Sequence, residues 1–329
     1  MKKGLSLIIV NYFCETYIEK LVDSVLSNVQ LKNLEIVIVS NSIPAFQWTD
    51  EYQHEYNIKI INNHGNEGFG RAINKGVENS QYDYFCMVNP DMELVQGNIL
   101  DELYGYFQTL PDDVGALSCL INNDDGTRQH TFFMQKGIAK MRFLKFMVRG
   151  LLPYRVKQLI SKDRSGELEE LIKKSEPFEV GGFHGPFVMM RRSAFFDVGG
   201  FDPDFFMYAE DIELFRNRFY KKYKSMVYPK VGLVHFSGKT DKYGLMSKQS
   251  IVSYMLYLKK QGNYFLGIYV FFRTIKSLLL LLFSLFKGKK YGREAFQFLS
   301  TLKYVKAIVL TPRGFHTRVT SLKIDEIPD

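Results

Sequence analysis

The stretch LSLIIVNYFCETY, residues 5–17, begins with six residues of strand character and turns polar at Asn11. Further apolar runs bounded by turn residues lie at 34–39, 58–61, 84–88, 115–120 and 187–191. Stretches of helical pattern lie between the earlier runs, near 15–29, 69–79 and 97–109. This alternation predicts an α/β fold with a mostly parallel sheet. In such a sheet, ligands bind in the crevice beyond the carboxyl ends of the strands.

Composition narrows the class of protein. The chain has 329 residues, 46% of them hydrophobic, which suffices for one large α/β domain with an appendage or for two domains. The turn after the first strand has no glycine fingerprint, which argues against a nicotinamide or flavin dinucleotide fold. The apolar run before Asn11 is too short for a secretory signal, so we interpret it as a strand. Three widely spaced cysteines, Cys14, Cys86 and Cys119, predict no disulfide framework and fit a reducing cytosol.

The formal charge of +8 is unevenly distributed. Residues 136–174 carry 11 Lys/Arg against 4 Asp/Glu, and residues 239–293 carry 11 against 1. The rest of the chain is therefore net acidic. A nucleic-acid-binding protein lines its folded face with cations, so this distribution predicts no nucleic-acid partner and favours an anionic membrane surface.

Two apolar segments interrupt or follow the α/β pattern. Between about 122 and 180, cations alternate with large apolar residues, which indicates either a flap over the site or a membrane-facing surface. The run 264–286 is long enough to span a bilayer, but Arg273 and Lys276 near its centre would cost about 5–7 kcal/mol on an insertion scale. We therefore favour a helix lying in the interface, with 287–293 binding acidic headgroups. A spanning helix and a buried core helix are the alternatives.

Three motifs contain residue types suited to chemistry. CMVNPDMEL (86–94) places Asn89 and Asp91 after a buried strand, where a carboxylate can bridge through Mg²⁺ or Mn²⁺ to phosphate, although a plain turn has the same spacing. HGNEGFGRAINKG (64–76) has glycines that allow a ligand close to the backbone, and Arg71 could meet phosphate. His235, in VGLVHFSG, is suited either to a metal or to a satisfied place in the core.

The stretch FFMYAEDIEL (205–214) sets Glu210, Asp211 and Glu213 among aromatic and apolar residues. Acids in the first turn of a helix complement the positive end of its dipole, which is the simpler explanation. A catalytic carboxylate is the alternative.

Five motifs in order resemble the family 2 glycosyltransferases of the GT-A fold. They are LSLIIVNYF, NEGFGRAINKG, VNPDMEL, GPFVMMRRSAFFDVGGFDPDFFMYAEDIEL and VGLVHFSG. The resemblance covers residues 5 to about 260 and is greatest to the bacterial rhamnosyltransferase and galactofuranosyltransferase branch. It implies a Rossmann-like GT-A domain over 1–260, with the insertion at about 122–180, followed by a membrane-associated helical region over 261–329.

The resemblance also implies roles for individual residues. Asp91 and His235 would bind the divalent cation, Mg²⁺ or Mn²⁺, and Asp211 would be the general base with Glu210 beside it. The implied nucleotide-sugar-binding residues are Val10, Asn11, Tyr12, Ser40, Asn41, Asn66, Gly68, Phe69, Arg71, Asn74, Asn89 and Gly185. Ser40 departs from the family, which usually has an aspartate there to bind the nucleotide base. The identity of the base is therefore left open.

The expected reaction is inverting transfer of L-rhamnose from dTDP-rhamnose to a lipid-linked, polyprenyl-diphosphate saccharide. The expected location is the cytoplasmic face of the cell membrane, as a peripheral or monotopic protein in capsule or cell-wall polysaccharide synthesis. A UDP-sugar donor carrying galactofuranose, glucose or galactose is the alternative, and the leucine-rich C-terminal helix suggests a homodimer. Ser40 and Asn89, each replacing a carboxylate, would fit a non-catalytic sugar-nucleotide-binding or glycan-binding module. A nucleotidyltransferase would need a glycine- and lysine-rich phosphate signature early in the chain, and the sequence has none.

Overall fold

The computed structural model describes residues 2–94, 97–134, 137, 140–151, 165–236, 245–287 and 289–310. The chain forms two compact units. Unit 1 comprises Met1–Gly137, Glu169–Asp202 and Asp211–Thr240. Unit 2 comprises Ile138–Leu168, Pro203–Glu210 and Asp241–Asp329.

The strands are β1 (Lys2–Asn11), β2 (Leu34–Ser40), β3 (Ile58–Asn62), β4 (Tyr82–Val88), β5 (Met92–Glu93), β6 (Val114–Asn123), β7 (Phe132–Phe133), β8 (Phe178–Val180), β9 (Gly182–Phe183), β10 (Phe187–Arg191) and β11 (Lys224–His235). The α-helices are α1 (Glu15–Asn28), α2 (Asp50–Glu55), α3 (Phe69–Glu78), α4 (Ile99–Thr109), α5 (Lys140–Leu151), α6 (Ser165–Lys173), α7 (Arg192–Asp197), α8 (Glu210–Glu213), α9 (Leu245–Gln261), α10 (Asn263–Lys287), α11 (Lys289–Thr301) and α12 (Lys303–Leu310). A π-helical turn, Leu214–Arg218, continues α8.

The main sheet of unit 1 has the strand order β3-β2-β1-β4-β10-β6-β11-β5, and β8 also pairs with β11. Strands β1 to β4 are parallel to one another, and β6 is parallel to β11. Strand β10 is antiparallel to both of its neighbours, β4 and β6. The predicted α/β class with a mostly parallel sheet is confirmed, and each apolar run read from the sequence forms a strand.

Continuous apolar strands form here because helices cover both faces of the sheet. In β1, Leu7, Ile8 and Ile9 are all fully buried. Helix α3 packs so closely against the sheet that a Cβ on Gly76 would lie 2.4 Å from Ile8 Cγ2. A side chain larger than hydrogen at Gly76 would therefore push this helix off the sheet.

The parallel register brings polar residues together at the carboxyl ends of the strands. Asn11 at the end of β1 is the register partner of Ser40 at the end of β2, and Ser40 is in turn the partner of Asn62 at the end of β3. Since these strands run in the same direction, their polar ends line one edge of the sheet. This edge is where the candidate site lies.

Unit 2 contains the long apolar helix α10 together with α5, α9, α11 and α12. Phe143 of α5 packs edge-to-face on Phe265 of α10, with ring centroids 5.2 Å apart. Within the described residues, one helix, Asn263–Leu285, is long and apolar enough to cross a bilayer, and 22% of its most apolar window is buried. The alternative of a buried core helix therefore does not fit.

The two central cations of α10 are partly covered by protein. Arg273 and Lys276 are half-buried, and the Arg273 guanidinium lies 5.2 Å from the ring centroid of Phe298 in α11. The exposed face carries apolar residues instead: Phe271, Leu278, Leu282, Phe283 and Leu285. The neighbouring helices decide this orientation, because they bury the cationic side. The side chains of residues 287–293, predicted to bind headgroups, lie outside the described part of the chain.

Candidate active site

The first part of the site is the polar edge at the ends of β1 and β2. The Asn11 side-chain amide donates to Ser40 Oγ (3.1 Å) and to Glu15 Oε1 (3.0 Å). Ser40 is fully buried, and its hydroxyl oxygen also accepts the Ser42 backbone N–H at 3.3 Å. The hydroxyl predicted to bind a nucleotide base is thus occupied by the chain itself. Its observed role is to hold the two strand ends together.

Asn41 connects this edge to the glycine-rich loop. Its amide group donates to Gly68 O (3.2 Å) and Asn66 Oδ1 (3.3 Å), and its Oδ1 accepts from Asn63 at 2.8 Å. Asn66 Oδ1 also accepts the Gly68 backbone N–H at 2.9 Å. Gly68 caps α3 with a φ of 89°, a left-handed conformation that glycine adopts without strain. The structure therefore brings Asn41, Asn66 and Gly68 together.

The first two turns of α3 hold the remaining predicted donor-binding residues. Phe69 and Arg71 are half-buried in the first turn. Asn74, one turn later, donates to Phe201 O (2.8 Å) and accepts the Phe201 backbone N–H (2.9 Å). Both ends of its amide are thus bound to the chain, so Asn74 fixes the backbone of Phe201.

At the end of β1, Val10 and Tyr12 are half-buried, while the Phe13 ring beside them is 60% exposed. The Tyr12 and Phe13 rings lie 4.8 Å apart. Phe13 has a left-handed φ of 52°, and its backbone N–H donates to Ser42 Oγ at 2.7 Å. An exposed aromatic ring held in this conformation is available to stack on a planar ligand. Phe13 was not among the residues predicted from the sequence.

The two predicted metal ligands meet although they are far apart in sequence. His235 Nε2 lies 3.0 Å from Asp91 Oδ1, because β5 and β11 pair with His235 opposite Met92. The other ring nitrogen, Nδ1, lies 2.8 Å from Gln129 Oε1. An amide oxygen accepts only from a protonated nitrogen, so Nδ1 carries hydrogen and Nε2 faces the carboxylate. A proton or a cation between Nε2 and Asp91 removes the repulsion of two lone pairs.

This pair fits a divalent cation whose remaining ligands come from the substrate. Among the described residues, no group of three or more His, Cys, Asp and Glu could hold a metal ion. Mg²⁺ commonly takes one or two protein ligands together with phosphate oxygens and water. Metal-binding histidines commonly donate their second ring N–H to a fixed acceptor, here Gln129. Asn89 stands where a third acid would otherwise bind the cation. The protein ligands are therefore two, Asp91 and His235.

Asp211 is the acid of the 205–214 stretch that remains accessible. Its Oδ1 accepts the Ile212 backbone N–H at 2.7 Å, and its Oδ2 lies 3.1 Å from His184 Nδ1. The Asp211 side chain is 16% exposed and that of His184 is 41% exposed. His184 was missed at the sequence level, since a lone histidine gives no sign of its partner.

The other two acids are buried. Glu213 binds Arg218, whose Nε lies 3.0 and 3.1 Å from the two carboxylate oxygens, and Glu210 is also buried. The two residues before Glu210, Tyr208 and Ala209, have left-handed φ values of 68° and 65°. That conformation costs roughly 1–2 kcal/mol for a non-glycine residue, and such strain is found mostly at functional sites. Glu213 is thus the counter-ion of Arg218, a role that the helix dipole alone does not explain.

Residues 184–186 connect this acid to the rest of the site. Pro186 O accepts the Asn89 backbone N–H at 2.8 Å, which places the segment beside the end of β4. A Cβ on Gly185 would lie 3.5 Å from the Phe69 ring, so the segment also contacts the start of α3. His184, Asn89 and Phe69 thus lie around one end of the sheet.

The Cys14 thiol beside this edge is neutral at ordinary pH. Burial, with smaller contributions from the nearby Glu15 and Asp91 carboxylates, raises the pKa of Cys14 to about 11. Its Sγ lies 3.3 Å from Asn11 Oδ1. Cys14 therefore supports the turn and is not a nucleophile.

The model of the family "Glycosyl transferase family 2" matches residues 6–199. No curated protein matches the chain significantly. Mannosyltransferase PcManGT from Pyrobaculum calidifontis, solved with GDP-Man and Mn²⁺, is 14% identical with a TM-score of 0.53, covering 93% of this chain and 88% of that one.

Two further solved structures are similar in fold. GalNAc-T7, solved with UDP, GalNAc and Mn²⁺, is 17% identical with a TM-score of 0.55, covering 92% of this chain and 57% of that one. TarS from S. aureus is 14% identical with a TM-score of 0.50, covering 93% of this chain and 50% of that one. At identities this low, the structural similarity shows a shared fold and nothing more.

Proposed function

The chain belongs to glycosyl transferase family 2, and on that premise we propose that it transfers a sugar, with inversion, from a nucleotide-diphosphate donor to an acceptor hydroxyl. The observation that carries the proposal is the position of Asp91, His235 and Asp211 in unit 1, around the carboxyl end of a mostly parallel sheet. That end is where an α/β sheet binds its ligand.

The donor lies across the ends of β1, β2 and β4 in this proposal. Asn41 and the backbone around Gly68 hold the loop against which its phosphates lie, and Phe13 offers a ring to its base. GDP-Man, UDP and Mn²⁺ accompany the similar structures, which supports a nucleotide-sugar donor and a divalent cation. We place dTDP-rhamnose first and a UDP-hexose or UDP-galactofuranose second. Because Ser40 is buried, we expect neighbouring groups to read the base.

Catalysis is divided between two parts of the site. Asp91 and His235 would hold Mg²⁺ or Mn²⁺, which supplies positive charge to neutralise the leaving diphosphate. The Asp211 carboxylate promotes removal of the proton from the acceptor hydroxyl. The hydroxyl oxygen attacks the anomeric carbon from the face opposite the diphosphate. Proton removal of this kind contributes roughly 10²–10⁴-fold in rate.

Unit 2 supports a membrane-bound acceptor. Helix α10 exposes Phe271, Leu278 and Leu282. Helix α5, which packs on α10 through Phe143 and Phe265, exposes Lys145 and Phe146. Cations beside exposed apolar side chains suit an anionic bilayer. We therefore propose a peripheral enzyme on the cytoplasmic face of the membrane, acting on a polyprenyl-diphosphate saccharide in capsule or cell-wall synthesis.

The first test is binding of a panel of nucleotide diphosphates by calorimetry, with and without Mn²⁺, followed by turnover of the matching nucleotide sugars. We expect metal-dependent binding that Asp91→Ala abolishes and that Asp113→Asn leaves unchanged. Asp113 is a matched control because it directly precedes β6 and its carboxylate pairs with Lys224, the first residue of β11, at the amino ends of these strands. Binding without turnover would indicate the non-catalytic module, for which Asn89 and Ser40 are the favouring residues.

The membrane proposal has its own test, flotation with vesicles of phosphatidylglycerol or phosphatidylcholine. We expect binding to the anionic vesicles, weakened by Lys145→Glu and by Leu282→Ser. Lys59→Glu is the control, since Lys59 is an exposed cation on β3. If the protein stays unbound and forms a dimer that Leu282→Ser dissociates, the exposed face of α10 is a homodimer interface instead.

A further inference from the structure

We propose that His184 is the catalytic residue that first receives the acceptor proton, at Nε2, and that Asp211 positions it and stabilises its charged form. This inference rests on the proposed function, because it requires an acceptor hydroxyl that loses a proton at this site. It departs from the family resemblance, which implies Asp211 alone as the base.

The hydrogen bonds of Asp211 are the first reason. One carboxylate oxygen accepts the Ile212 backbone N–H at 2.7 Å, and the other faces His184 Nδ1 at 3.1 Å. A carboxylate has no hydrogen to donate, so the hydrogen of this second bond belongs to Nδ1. Neutral imidazole carries one N–H, which leaves the lone pair on Nε2, the nitrogen farther from Asp211. That nitrogen is the basic atom that His184 can present to a substrate.

Accessibility is the second reason. The His184 side chain is 41% exposed and that of Asp211 is 16% exposed. An acceptor hydroxyl arriving from solvent therefore reaches the imidazole more readily than the carboxylate behind it. An aspartate that fixes the tautomer and stabilises the imidazolium makes such a histidine an effective base.

The position of the His184 ring is the third reason. The backbone N–H of His184 donates to Thr131 O at 2.7 Å, and its ring packs edge-to-face on Phe133 at 5.4 Å. The Arg216 guanidinium lies 4.2 Å from the centroid of the same Phe133 ring. Asp211 is the charged group that the described contacts place against the imidazole. The backbone and ring contacts together fix the His184 ring, and the next two residues, Gly185 and Pro186, lie against Phe69 and Asn89.

The acceptor O–H bond breaks and its proton moves to His184 Nε2, while the acceptor oxygen forms a bond to the anomeric carbon. The bond from that carbon to the diphosphate oxygen breaks, and its electron pair leaves with the nucleoside diphosphate. The imidazolium, paired with the Asp211 carboxylate, then releases its proton to water.

Two substitutions distinguish whether His184 acts as the base or only positions Asp211. In His184→Asn, the amide Nδ2 can occupy the place of Nδ1 and keep the bond to Asp211, but nothing replaces Nε2. We expect His184→Asn and His184→Ala both to lower kcat by roughly 10²–10⁴-fold, with unchanged donor binding. We also expect added imidazole to restore part of the activity of His184→Ala.

Wild-type-like kcat in His184→Asn, or no rescue of His184→Ala by imidazole, would overturn the inference. A second test of the inference does not depend on turnover. The ¹⁵N spectrum of the wild-type His184 ring should show hydrogen on Nδ1, and Asp211→Ala should move it toward Nε2. A ring that carries hydrogen on Nε2 in the wild type would also overturn the inference. Absence of transfer by the wild type with every donor would instead overturn the proposed function, and this inference with it.

Discussion

Replacing Glu213 by glutamine should destabilise unit 1 by about 2–3 kcal/mol. The Glu213 side chain is 6% exposed and its partner Arg218 is 28% exposed. Arg218 Nε lies 3.0 and 3.1 Å from the two carboxylate oxygens, and Nη2 makes a further short contact. Glutamine keeps the size of the side chain and removes its charge, which leaves the guanidinium without its counter-ion.

The magnitude follows from burial. Removing one partner of a fully buried ion pair costs about 3–5 kcal/mol. The estimate for Glu213 is lower, because solvent reaches part of Arg218 and because Arg218 Nη1 keeps its bonds to Val198 O (2.5 Å) and Gly200 O (2.8 Å). For a domain of about 150–250 residues, each kcal/mol moves Tm by about 2–4 °C. The expected loss is therefore about 4–12 °C.

The assay is thermal unfolding followed by circular dichroism, with the Asp197→Asn variant as the control. Asp197 pairs with Lys222 on the surface, where both side chains are about half exposed, so its loss should leave Tm almost unchanged. A Tm for Glu213→Gln equal to that of the control would refute the reasoning, and would mean that water already solvates the pair in the native state.

Three further predictions concern the metal pair, the thiol and the sheet. Gln129→Leu removes the acceptor of His235 Nδ1–H and should weaken Mn²⁺-dependent nucleotide binding roughly 10–100-fold, measured by calorimetry, with metal-free binding as the control. Because burial raises the pKa of the Cys14 thiol to about 11, its thiolate forms only as pH rises toward that value. Alkylation by iodoacetamide at pH 8, followed by mass spectrometry, should therefore be slower for Cys14 than for the same residue in the urea-unfolded chain. Gly76→Ala places a methyl group 2.4 Å from Ile8 Cγ2 and should cost about 1–3 kcal/mol of stability, measured by urea unfolding, whereas Gly105→Ala, with open space around it, should not.

The sequence was sufficient for the six strands and three helices that its patterns predicted, but the short strands β5, β7, β8 and β9 and helix α2 were not predicted. A buried parallel strand is a continuous apolar run and an amphipathic helix repeats every 3.6 residues, so both patterns can be read over short windows. The end of β1 at Asn11 and the start of α3 near Gly68 follow from such local signals. The resemblance to family 2 further assigned Asp91, His235 and Asp211 to one site. That resemblance rests on the order of the motifs, which can be read from the linear chain.

Tertiary structure alone decided which partners these residues have. Gln129 reaches His235, and His184 reaches Asp211, through strand pairings and turns that no local pattern encodes. Ser40 was predicted to meet a ligand, but the parallel register of β1 and β2 sets it against Asn11 inside the sheet. The Arg273 side of α10 is half-buried, because Phe298 of α11 packs against it. Periodicity fixes which residues share a face of a helix, whereas the elements that pack around the helix determine whether that face meets protein or the exterior.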